Sequence, residues 1–110
     1  MKVIKGADLP VKHEMSTAVR VFMKPKDELA NVSITRVDIE PGSATPEHSH
    51  DTHQIVYVLE GELLMISGEV QERVAAGDLI YIPPGEVHQH RAGGLGVLKQ
   101  LALFVPVAHP

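Results

Sequence analysis

Glycine and proline cut this chain into short pieces, and that punctuation constrains its fold more than any other feature. The pieces are Ala18–Met23, Val32–Glu40, Gln54–Leu59, Glu62–Ser67, Val70–Val74, Leu79–Ile82, His88–Arg91 and Val97–Val105. Between them stand Pro41-Gly42, Glu60-Gly61, Ser67-Gly68, Ala76-Gly77-Asp78, Pro83-Pro84-Gly85 and Gly93-Gly94. Each piece has strand length, all but His88–Arg91 carry β-branched or aromatic residues, and the breakers supply turns. Many short strands at regular spacing predict an all-β sandwich or barrel. The best helical candidate is Pro25–Ala30, a turn or two with proline near its start. No repeat or linker divides the 110 residues, so residues 1–110 are expected to form one domain.

The apolar phase carries further information. Val32 and Ile34 share one parity and Val37 and Ile39 the other, so a bulge is expected near Thr35-Arg36, or else partial cover on both faces. Ile55–Leu59 and Leu79–Ile82 do not alternate, and Leu101–Val105 is almost unbroken. Such runs imply strands covered on both faces. A barrel this small cannot cover its own outside. Either a second subunit does so, making a homodimer, or an N-terminal segment folds back. Tyr57 and Tyr81 are expected in the core or in that interface, and Met15, Met23 and Met65 as core filler.

Composition closes several routes. There is no cysteine, which excludes disulfides, cysteine zinc sites, iron–sulfur centres and a thiol nucleophile. Ten Lys+Arg against fourteen Asp+Glu give a net charge of -4 without a basic run, so neither nucleic acid nor an anionic membrane surface is an expected partner. No apolar run reaches the ~20 residues of a membrane span. The first residues, Met1–Gly6, lack a signal-peptide core, and a cytoplasmic location is the expectation.

Seven histidines are many for this length, and most cluster: His48, His50 and His53, then His88 and His90. On an extended segment His48 and His50 face the same way, about 7 Å apart, which suits two ligands of one ion. Gln54 has their parity if the phase holds, and His53 has the opposite one. The Pro83-Pro84-Gly85 turn can return the chain so that His88 joins the pair. His90 shares the parity of His88 and is the candidate general base, its pKa lying near neutrality. Glu47 and Asp51 have the wrong parity for the site. Arg36 and Arg91 are possible carboxylate anchors, although a solvated role fits each better. His13 and His109 stand apart.

These segments resemble the two motifs of the cupin superfamily. The first, G-x5-H-x-H-x(3,4)-E-x6-G, is matched over residues 42–61 by Gly42, His48, His50 and Gly61, with Gln54 in place of the glutamate. The second, G-x5-P-x-G-x2-H-x3-N, is matched over residues 77–92 by Gly77, Pro83, Gly85 and His88, with Ala92 in place of the asparagine. The resemblance implies a double-stranded β-helix, or jelly-roll barrel. It also implies one divalent metal held by His48, His50, Gln54 and His88. The Gln variant is similar to small pectin-degradation cupins that linearise unsaturated uronates. Those carry an Asp and an Arg around a Phe-x-Pro, whereas here Phe104-Val105-Pro106 is flanked by Ala102, Leu103, Val107 and Ala108.

Gln54 is either a neutral ligand or the mark of a lost site. As a ligand it leaves the full charge on the ion, which favours Lewis acidity over redox chemistry. Nitrogen and oxygen donors of this kind admit Zn, Ni, Mn, Fe or Co. The expected function is a Lewis-acid isomerase, lyase or ring-opening enzyme on a small oxygenated substrate such as a sugar acid. A metal-dependent dioxygenase and a non-enzymatic small-molecule-binding cupin are the alternatives.

Overall fold

The computed structural model describes residues 1–24 and 31–108. The helix candidate Pro25–Ala30 and His109 lie outside these residues. A 3-10 turn, Gly6–Asp8, precedes nine strands: β1 Lys12–Glu14, β2 Thr17–Met23, β3 Ser33–Ile39, β4 His53–Glu60, β5 Glu62–Ser67, β6 Val70–Ala75, β7 Leu79–Ile82, β8 Gln89–Gly93 and β9 Leu98–Val105. Six form one antiparallel sheet in the order β1-β2-β3-β9-β4-β7, and three form a second in the order β6-β5-β8. The result is an all-β jelly-roll barrel, as expected. No helix among the described residues is long and apolar enough to cross a membrane.

Register decides what faces inward. Thr35, Val37 and Ile39 of β3 stand opposite Ala102, Gln100 and Leu98 of β9. Gln54, Val56 and Val58 of β4 stand opposite Phe104, Ala102 and Gln100. At one end of the barrel these rows meet Leu63, Met65 and Val74 of the second sheet in a closed apolar core. Ile39, Val56, Val58, Leu63 and Leu98 are fully buried there, each contributing roughly 1.5–3 kcal/mol of transfer free energy. At the other end the same rows turn polar, through Thr35, Gln54, Gln100 and, on β8, His90. The fold therefore builds a solid base and leaves a lined chamber above it.

Two turns hold this frame with glycine. Gly61, between β4 and β5, has φ +85°, and a Cβ there would lie 2.7 Å from the Val97 carbonyl oxygen. Gly85 has φ +82° with open space around it, and its N–H donates to the His50 carbonyl at 2.7 Å. Both conformations are ones that L side chains rarely adopt.

Several expectations need correction. Of the two readings of β3, partial cover on both faces holds, since its residues are partly or fully buried throughout; the irregularity lies on its partner β2, between Val21 and Met23, with a second between Val58 and Glu60 of β4. An extra residue on one strand shifts register without disturbing the facing strand. β4 and β7 are not covered twice within the chain. Their outward residues Tyr57, Leu59, Leu79 and Tyr81 are 38–57% exposed, so the two tyrosines are not core. The N-terminal turn does not reach them, since Gly6 packs on Phe22 of β2. Met65 is core, but Met15 is a 93%-exposed turn residue with φ +53°.

Candidate metal centre

His48 and His88 come together through backbone before side chain. Two loops, one before β4 and one before β8, meet in an isolated antiparallel bridge at these residues. The loop carrying His48 and His50 is thus not a full strand, yet both rings point the same way. Their centroids lie 4.9 Å apart, and those of His48 and His88 lie 4.4 Å apart. One ring nitrogen from each of His48, His50 and His88 falls within 4.8 Å of the others. That spacing allows three nitrogens to meet one ion at ~2.1 Å.

The hydrogen bonds fix which nitrogens are offered. Nδ1 of His48 lies 2.7 Å from the Pro46 carbonyl oxygen, and Nδ1 of His88 lies 2.8 Å from that of Glu86. A carbonyl only accepts, so each Nδ1 carries the proton and each Nε2 presents a lone pair. Such outer partners orient metal-binding imidazoles. The His88 Nε2 is buried without a hydrogen-bond partner among the described residues, and so is the Gln54 Oε1. Orphaned buried acceptors are expensive unless something satisfies them. Two of them, an imidazole nitrogen and an amide oxygen, are donors a divalent transition ion accepts. The residues therefore fit a metal.

Gln54 stands at the head of β4 and is 3% exposed. With His48, His50, His90, Gln100 and Phe104 it lines a chamber of about 160 Å³. The Phe104 ring closes edge-on against His50, centroids 4.8 Å apart. No charged side chain lines the chamber among the described residues. A larger space of about 360 Å³, bordered by the β1–β2 turn at Glu14 and Met15, shares Val37, Thr45 and His48 with the chamber.

Burial disfavours the charged form of His50, His88 and His90. It lowers the pKa of His50 and of His88, with neighbouring imidazoles adding to the effect. His90 is pushed down to about 3, by burial first and then by His88 and His48. Neutral rings are the ligand form. As the general base expected from the sequence, however, so acidic a ring is a weak proton acceptor near neutrality. His90 also falls outside the close trio; its Nδ1 instead meets the Gln100 amide nitrogen at 3.2 Å.

The remaining sequence candidates lie elsewhere. His53 faces outward, its Nδ1 2.7 Å from the Tyr81 hydroxyl. Glu47 and Asp51 are exposed. Arg36 pairs with Asp38 on the outside of β3, its Nε 3.0 Å from Oδ1, and Arg91 is exposed. Neither arginine reaches the chamber. Gln100 and Phe104 escaped the sequence reading, although both follow from the alternation of β9 once Ala102 is placed inward.

The chain belongs to the cupin family. The cupin-domain family profile matches residues 35–104, which span both histidine segments and strands β3 to β9. Germin-like protein 1-1 of Oryza sativa subsp. japonica is 32% identical over 94 residues, covering 80% of this chain and 44% of that protein. The chain thus spans under half the length of this curated relative. The solved structure of the polyketide cyclase RemF from Streptomyces resistomycificus superimposes with a TM-score of 0.83 at 25% identity, covering all of this chain and 82% of that one. A predicted oxalate decarboxylase from Thermotoga maritima gives a TM-score of 0.87 at 19% identity, over 96% of this chain and all of that one, a likeness of fold.

Proposed function

We propose that this cupin is a metal-dependent enzyme of the isomerase, lyase or ring-opening kind, holding one divalent transition ion with His48, His50, His88 and Gln54. The observation that carries this reading is a pair of orphaned buried acceptors: His88 Nε2, in the close trio with His48 and His50, and Gln54 Oε1, on the chamber those two histidines line. When bound, such an ion supplies Lewis acidity, and four uncharged donors leave its charge undiminished. The chain's own residues do the rest. Val37, Ala102 and Phe104 exclude water from the ligand, and Thr35 and Gln100 offer it polar contacts.

The lining narrows the substrate. One oxygen-bearing head can meet the ion, but a second carboxylate or a row of hydroxyls finds no cation and few partners. A small carbonyl compound with an apolar body fits better than the sugar acid expected from the sequence. The likeness to a polyketide cyclase accords with a carbonyl substrate.

We place a homodimer in the same reading. Tyr57 faces Leu79 and Ile55 faces Tyr81 across β4 and β7, with Leu101 and Leu103 of β9 alongside. These six side chains carry no charge and lie on one face, an apolar patch that a second copy related by a two-fold axis would cover.

The test is the metal content of protein purified without added metal, followed by assay of small ketones and diketones with and without oxygen. About one transition ion per chain and oxygen-independent turnover are expected. Oxygen uptake would make the protein a dioxygenase, and ligand binding without turnover would make it a binding module.

A further inference from the structure

Four polar side chains are buried among the described residues: Gln54, His88, His90 and Gln100. The metal reading uses the first two. The other two form a pair, and the direction of their hydrogen bond has a chemical meaning. The Gln100 amide nitrogen lies 3.2 Å from His90 Nδ1. An amide NH₂ only donates, so Nδ1 of a neutral His90 accepts and Nε2 carries the proton. The structure turns the amide nitrogen, and not its oxygen, toward the ring.

His90 is therefore wired oppositely to its neighbours. Backbone carbonyls hold His48 and His88 with Nδ1 protonated and Nε2 bare. Yet the His90 and His48 rings are stacked, 5.7 Å apart and 2° from parallel, and both line the chamber. A bare Nε2 on His90 would add a fourth imidazole acceptor to the cluster. A protonated one adds its only donor among the rings so held. We infer that Gln100 is a positioning residue that fixes His90 as an Nε2–H donor, so that His90 hydrogen-bonds a ligand oxygen as that oxygen gains negative charge. A donor preset toward developing charge in an apolar site is a strong means of lowering a barrier. The ligand class is a small carbonyl compound able to enolise, with one oxygen for the ion and electron density for His90. This inference rests on the metal-site reading above and deepens it.

The experiment uses the full chain, labelled with ¹⁵N-histidine and loaded with zinc, with imidazole tautomers read by long-range ¹H–¹⁵N correlation. In the parent, His90 should be protonated at Nε2 while His48 and His88 are protonated at Nδ1. His90 protonated at Nδ1 would overturn the inference. Gln100→Glu, whose carboxylate accepts, should switch His90 to the Nδ1–H form, and Gln100→Leu should leave a mixture. An unchanged His90 signal in either folded variant removes Gln100's positioning role. Zinc content of the same samples tests the metal reading separately, because the tautomers remain readable in metal-free protein. Pentane-2,4-dione is the ligand probe: loss of the donor in Gln100→Glu should weaken its binding about tenfold. Equal affinity in parent and variant would discard the donor role, and no binding to the loaded parent would discard the ligand class.

Discussion

His48 and His88 exchange backbone hydrogen bonds, the N–H of each donating to the carbonyl of the other at 3.0 and 2.8 Å. Two histidines forty residues apart in the chain are thus locked in register before their side chains are considered. Substituting either ring leaves this bridge in place. His48→Ala and His88→Ala should therefore fold, while metal affinity falls beyond the about 10–100-fold that loss of an outer partner costs. Elemental analysis beside circular dichroism measures both. Unchanged metal in both variants refutes the assignment.

Gln54 should respond with opposite signs to two measurements. Gln54→Leu removes an unsatisfied buried oxygen, so metal-free protein should gain about 1 kcal/mol, while metal binding weakens. Gln54→Glu adds a negative charge at the ion, so affinity should hold or rise and Lewis acidity should fall. Chelator competition and urea unfolding are the readouts. If Gln54→Leu binds metal as the parent does, Gln54 is not a ligand.

Acid should destabilise the metal-free protein. His90 has a folded pKa of about 3 against an ordinary 6.5. Between those values the unfolded chain holds a proton that the folded chain refuses. Stability is thus fully present above the ordinary value and is lost as pH falls, by up to about 1.4 kcal/mol per pH unit for this one group. The lowered His50 and His88 act in the same direction. Urea midpoints should fall between about pH 7 and about pH 5, and His90→Phe should flatten the slope.

The outward patch predicts association. The parent should sediment as a dimer at micromolar concentration, and Leu79→Lys with Tyr81→Glu should sediment as a monomer. A monomeric parent would remove the second copy from the reading.

The two turn glycines should separate strain from collision. Gly85→Ala meets only the strain of its φ, about 1–2 kcal/mol. Gly61→Ala meets the same strain plus the Val97 carbonyl at 2.7 Å, so its thermal midpoint should drop further.

Much of the site was legible because its signals are local. The parity of His48, His50 and Gln54 survived even though the histidine loop is not a strand, since the bridge at His48 keeps it extended. Other features depend on contacts the sequence does not display. β1 reads Lys-His-Glu, has no apolar signal, and forms only by pairing with β2. The change of apolar parity on β3 reflects partial cover of both faces, and the bulge it also suggests lies on β2. His90 has the parity read from the sequence, while its burial and its pairing with Gln100 depend on contacts that spacing does not display. Gln100 is ordinary in sequence and acquires meaning only beside His90.

The order β1-β2-β3-β9-β4-β7 places the last strand at the centre of the larger sheet. β3 and β4 are neighbours in sequence but never touch as partners; β9 lies between them. Every histidine of the trio is synthesised before that strand exists. Until β9 arrives, β3 and β4 each present an open edge, and Gln54 has no Phe104 opposite it. Assembly is thus a closing event with a long reach, of the kind that slows folding and leaves sheet edges free for wrong partners meanwhile. The edges of β3 and β4 therefore stay open for as long as β9 is missing.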